Sequence, residues 1–201
     1  MRPFYKTQSV KTVVAVISLL SAVYFVVAYA PARLSTEFDD AYMYCRYASN
    51  FLAGYGFSWN AADGPAFGAT SPVFLFLITV SKSLFTADNS FLLSFTSFST
   101  GLLGLAVLVF AGYKFGKLLS KKHLPLLVIP LCLVSTSFRY HSFTGMETTL
   151  AFLANAILIL SVVLYSSKPG ETRFVFMLLA SVLTFMVRPD FQEQGLCLLF
   201  Q

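Results

Sequence analysis

Charge is scarce in this chain of 201 residues. Asp, Glu, Lys and Arg together make up 11% of it, against about a quarter in an ordinary soluble domain. That scarcity excludes a disordered chain, a nucleic-acid-binding module and most soluble enzymes. Histidine occurs twice and tryptophan once. The cysteines, Cys45, Cys132 and Cys197, are odd in number and far apart, with no CxxC or Cys/His spacing. Neither a disulfide framework nor a zinc site is expected of them. What the chain has instead is apolar residues, 57% of the total, among them 22 Phe and 10 Tyr. A soluble domain of this size has too little interior to hide them. The composition predicts an all-α polytopic membrane helix bundle.

The net charge of +5 needs no acidic ligand and no nucleic acid, because the Lys and Arg cluster between apolar runs as membrane topology requires. The first run, near 12–30, follows Arg2, Lys6 and Lys11 and is long enough to span. A cleaved signal peptide is the alternative, since Ala28-Tyr29-Ala30 has the A-x-A form, but the run exceeds a signal core and Pro31 would follow the cut. Further runs lie near 72–85, 91–113, 124–138, 149–165 and 174–187. If all of them cross, the most basic linker, Lys114 to Lys122, falls outside, against the positive-inside rule. If 72–85 lies on the surface, that linker joins Arg2, Lys6, Lys11, Lys168 and Arg173 inside. About 14 residues, roughly 21 Å as a helix, also fall short of a core of about 30 Å. Ser71 and Pro72 mark a capped helix start. The expectation is five spans, an outer loop over 31–90, and two interfacial helices near 40–53 and 72–85.

This topology gathers Asp39, Asp40, Arg46, Arg139, His141, Glu147, Arg188 and Asp190 on the outer face. Each also has an ordinary structural reading. Asp39 and Asp40 suit the N-terminus of a helix, complementing its dipole. That helix shows a stripe of Ala41, Tyr44, Cys45, Ala48 and Leu52, and Gly54-Tyr55-Gly56 stops it. Thr144-Gly145-Met146-Glu147 fits a capping box opening the next span. Arg139 suits snorkelling to the interface, and His141 alone says little. Arg188 ends a short run: either the run starts earlier, near Thr172, or the guanidinium is recessed and faces a cavity or an anion.

The string Asp39-Asp-Ala-Tyr-Met-Tyr-Cys-Arg46-Tyr-Ala-Ser-Asn50-Phe-Leu-Ala-Gly54-Tyr-Gly56-Phe-Ser-Trp59-Asn60, followed by Gly68-Ala-Thr-Ser71-Pro72, resembles the first outer loop of membrane glycosyltransferases of the GT-C class. The likeness is nearest to bacterial arabinofuranosyltransferase-like members; protein mannosyltransferases and aminoarabinose transferases are more distant. Thr144-Gly145-Met146-Glu147 is similar to that family's small-Gly-Leu-Glu-Thr turn and Arg188-Pro189-Asp190 to its Arg-Pro-Glu/Asp element. The resemblance covers residues 10–190 and makes 1–190 the N-terminal part of a GT-C-like transmembrane domain in the bacterial plasma membrane, N-terminus cytoplasmic. Residues 191–201 depart from the family and form an atypical or truncated tail.

The resemblance implies transfer of a sugar from a polyprenyl-phosphate donor to an extracytoplasmic glycan, lipid or protein. It makes Asp39 the base, with Asp40 orienting it or sharing a divalent cation. Arg46, Arg139, His141 and Arg188 become donor-phosphate ligands, and Glu147, Trp59 and Asp190 substrate contacts. No cofactor beyond that cation is implied. The alternatives are a catalytically inactive remnant or an accessory membrane subunit and, with less support, a transporter, since no ionisable group lies mid-span.

Overall fold

The apolar runs become helices and the polar seams become their ends. A computed structural model describes residues 4–35, 38–66, 68–118 and 124–188. The described residues are all-α, with no strand among them. In order, α1 spans Phe4–Val23 and continues as a π-helical turn over Tyr24–Tyr29. Next come α2 (Asp39–Leu52) and α3 (Pro72–Leu84). The long α4 (Asn89–Leu118) follows, then the short α5 (Val128–Val134) and α6 (Thr136–His141). The last two are α7 (Thr148–Ser167) and α8 (Glu171–Val187). Three stretches are helical, long and apolar enough to cross a membrane: Lys11–Tyr29, Asn89–Lys117 and Thr148–Ser167.

Two of the five expected spans differ from expectation. The run 124–138 is not one helix. A 3-10 turn over Leu124–Leu127 leads into α5, and Ser135 leaves helical geometry at φ −59°, ψ 120° before capping α6. Pro125 packs beside Gly112 of α4, and Ser142 lies beside Gly101. Between those levels α4 rises about 17 Å at 1.5 Å per residue. The segment therefore climbs little more than half of a hydrocarbon core of about 30 Å. The last run begins at Glu171, as the earlier-start reading of Arg188 requires, and its 17 residues extend about 25 Å. Arg173 turns back there to cap α7, its Nη1 donating to the carbonyls of Leu164 (2.7 Å) and Lys168 (3.0 Å).

The centre of the bundle is a parallel pair. Ser94 Oγ donates to the Phe143 carbonyl and Ser97 Oγ to that of Met146, and Thr100 pairs with Thr149. The offset stays at 49 residues throughout, so α4 and α7 start at the same end and run side by side. Small residues permit the approach. A Cβ on Gly104 would stand 2.6 Å from Phe152 Cδ1 and 3.0 Å from the Leu153 Cα.

At the end where α4 and α7 begin, α2 and α3 pack on the pair. Ala41, Tyr44, Cys45 and Ala48 of the expected stripe are buried against Phe74, Leu75 and Ile78 of α3 and against Leu150 and Ala154 of α7. Leu52 is not: it is 46% exposed, because Gly54 at φ 88° already turns the chain away. Ser71 caps α3 as expected, accepting from the Phe74 N–H at 3.2 Å. The outward residues of α3, Phe76 and Leu84, are apolar and exposed, as an interfacial helix requires. A second core, made largely of aromatics, joins Phe25 of the π-helical turn to Phe98, Phe138 and Phe143.

Candidate functional site

The turn between α6 and α7 is fixed from outside itself. Gly145 takes φ 72°, where a side chain would be strained. The serines of α4 hold the carbonyls on either side of it, Phe143 and Met146. Glu147 follows at the N-terminus of α7. Where the expected capping box puts Glu147 three residues into the helix, Glu147 itself holds the cap position of α7, with helical φ and ψ and no side-chain cap hydrogen bond. Its carboxylate instead reaches across to α2 and to the loop before α3. The Tyr44 hydroxyl donates to Oε2 at 3.0 Å, and Thr70 lies 3.4 Å from Oε1. Tyr44 and Thr70 are themselves 3.0 Å apart. Glu147 is 4% exposed and Tyr44 fully buried. Burial first, then the negative charge of Glu147, pushes the Tyr44 hydroxyl well above its ordinary pKa of 10.0.

Asp39 and Asp40 stand at the head of α2, both exposed, one turn ahead of Tyr44. Phe38 holds the cap position without a side-chain bond, so the acidic pair serves the first turn by charge. Neighbouring residues on a helix diverge by about 100°. The two side chains therefore leave the first turn of the helix in different directions. Among the described residues, no group of three or more His, Cys, Asp and Glu is placed to hold a metal.

The basic candidates separate into three places. Arg46 clasps the loop after α2: Nε donates to the Trp59 carbonyl (2.8 Å), Nη2 to Asn60 Oδ1 (2.9 Å), and Cζ lies 4.4 Å from the Trp59 ring centroid. Arg46 and Trp59 thus occupy each other. His141 faces the groove between α5 and α7, with Cys132, Ser137 and Thr148. Burial, and the Arg188 charge after it, hold its pKa below the ordinary 6.5. Its Nδ1 is buried with no hydrogen-bond partner among the described residues. Arg188 ends α8, half-buried, its backbone N–H bonded to the Thr184 carbonyl. Asp190 lies outside the described residues.

Arg139 belongs to the third place, a cleft of about 780 Å³ between the end of α1 and α6. There Tyr29 lies close to two cations. The Arg33 Cζ is 4.5 Å from its ring centroid, and the Arg139 Cζ 5.6 Å. The guanidinium carbons are thus no more than about 10 Å apart, where like charges repel by roughly 1.7 kcal/mol at an effective dielectric of about 20. The Arg139 Nε is buried, with no hydrogen-bond partner among the described residues. None of the described lining residues carries a negative charge, and Phe38 and Phe143 supply apolar wall.

Sequence reasoning missed Arg33, Tyr29, Tyr44 and Thr70. A signal existed for Arg33: it closes the far end of the first apolar run, opposite Arg2, Lys6 and Lys11. None existed for Tyr44, whose place in the apolar stripe reads as core.

No family model matches the chain, and no curated protein or solved structure is similar to it.

Proposed function

We propose that this membrane protein is the N-terminal part of a glycosyltransferase that moves a sugar from a polyprenyl-phosphate donor to an extracytoplasmic acceptor, a cell-envelope glycan, lipid or protein, in a bacterial plasma membrane. One observation carries the reading. The two distant strings that resemble the GT-C family, the Asp39 loop and the Thr144–Glu147 turn, meet in the hydrogen bond from Tyr44 to Glu147. A carboxylate pair exposed to water and an arginine-lined cleft then share one end of an apolar bundle.

Transfer of this kind needs a base for the acceptor hydroxyl and cations for the departing phosphate. Asp39 serves as base at the water boundary. Glu147, whose carboxylate is already bonded within the protein, positions α2 and does not contact acceptor. The sugar donor's phosphate falls to arginine, whose planar fork suits it. The test is release of polyprenyl phosphate from a polyprenyl-phosphoryl sugar, arabinofuranosyl first, by the complete membrane protein. Asp39→Asn should abolish release and leave membrane insertion intact. Near-normal turnover in that variant would remove Asp39 as base.

A further inference from the structure

We infer that the cleft lined by Arg33 and Arg139 binds the phosphate of a membrane lipid, with the Tyr29 ring in reach of both guanidinium groups. Two cations within about 10 Å of each other, with no acid among the described lining residues, favour an anion shared by both. The buried Arg139 Nε supplies a donor that nothing else described accepts from. The cleft's volume of about 780 Å³ lies in the range of small-molecule sites. Its position selects the lipid-borne form of the anion. Tyr29 is the last residue of the π-helical turn that ends the first crossing stretch, and Val26 and Val27 just before it are exposed and apolar. A phosphate at that level sits where headgroups lie, and its hydrocarbon continues along the apolar flank of α1. π-helical turns are frequent at functional sites. This one brings Phe25 and Tyr29 into a stack at 5.5 Å, which holds the Tyr29 ring against Phe143 and in reach of both arginines.

As a donor subsite the assignment rests on the transfer reading; as a lipid-phosphate site it stands without it. The experiment is equilibrium binding to the full chain in non-ionic detergent, with farnesyl phosphate, farnesol and inorganic phosphate as probes. Farnesyl phosphate should bind. The Arg33→Gln/Arg139→Gln double variant should weaken it at least tenfold, and rising salt should weaken it too. Farnesol should be held equally by both proteins. A Lys114→Gln/Lys117→Gln variant removes the same charge from the opposite end of α4 and should bind farnesyl phosphate like the parent. Equal affinity in the arginine variant, with an unchanged unfolding midpoint, overturns the site. Inorganic phosphate that competes as well as the prenyl phosphate overturns its lipid character. Binding without sugar release overturns the transfer reading alone, and unimpaired release in the arginine variant overturns the site alone.

Discussion

Removing the Tyr44 hydroxyl tests whether α2 is tied to α7 by one buried carboxylate. Tyr44→Phe keeps the ring and its edge-on contact with Phe74, at 4.8 Å and 84°. It deletes the 3.0 Å bond to Glu147 Oε2 and leaves a carboxylate only 4% exposed with Thr70 at 3.4 Å. A hydrogen bond to a charged group contributes about 1.5–3 kcal/mol, so the variant should lose about 2–3 kcal/mol. Glu147→Gln retains an acceptor oxygen but not the charge, and should lose about 1 kcal/mol. The double variant should lose little more than Tyr44→Phe alone, because the charge whose partner is missing has gone. That sets a coupling of about 1 kcal/mol in a double-mutant cycle. The assay is reversible unfolding of the full chain in mixed micelles of rising dodecyl sulfate, followed by helicity. Single effects that add within about 0.3–0.5 kcal/mol would refute the reasoning: Tyr44 and Glu147 would then be neighbours without a shared bond energy.

Two further predictions concern the bundle and its acid sensitivity. Gly104→Ala drives a methyl group to 2.6 Å from Phe152 and 3.0 Å from the Leu153 backbone, and should lower stability by about 1–3 kcal/mol; an unchanged unfolding midpoint would mean that α4 and α7 separate freely there. His141 has a folded-state pKa below 6.5, through burial and the Arg188 charge. Its contribution is therefore full above that value and is lost as pH falls below it, because the unfolded chain takes up the proton first. Stability should decline as pH drops from 6.5 and decline less in His141→Gln; an identical slope in the two proteins would remove His141 as the source.

The fold class was legible because it rests on bulk properties. A chain with so few charges and such long apolar runs has one way to hide its backbone in lipid, which is helices. The short helix over 72–84 was legible from the Ser71-Pro72 start, a local signal, and Ser71 takes the cap there. The division of 124–138 was less legible. Hydropathy sums over a window and does not register that a serine inside an apolar run can take the cap of a new helix, as Ser135 does.

The site was legible in its ingredients and not in its pairings, and Glu147 shows why. From spacing alone, three residues after Thr144 at the start of a span, a capping box was the natural reading. The structure gives it a partner 103 residues away, a choice set by how α2 lies on α7. Arg46 and Arg33 make the same point in opposite directions. Arg46 lies inside the string that resembles the family, yet two of its donors are bonded to the loop at Trp59 and Asn60. Arg33 lies outside that string, and the 3-10 turn over Pro31–Arg33 sets it over the Tyr29 ring that Arg139 also approaches. A charge's sequence neighbourhood says which end of the bundle it occupies, but its partner depends on the crossing of helices that only the folded chain defines. Long-range pairing is therefore where a single sequence stops informing, and where substitution of Arg33, rather than Arg46, becomes the discriminating experiment.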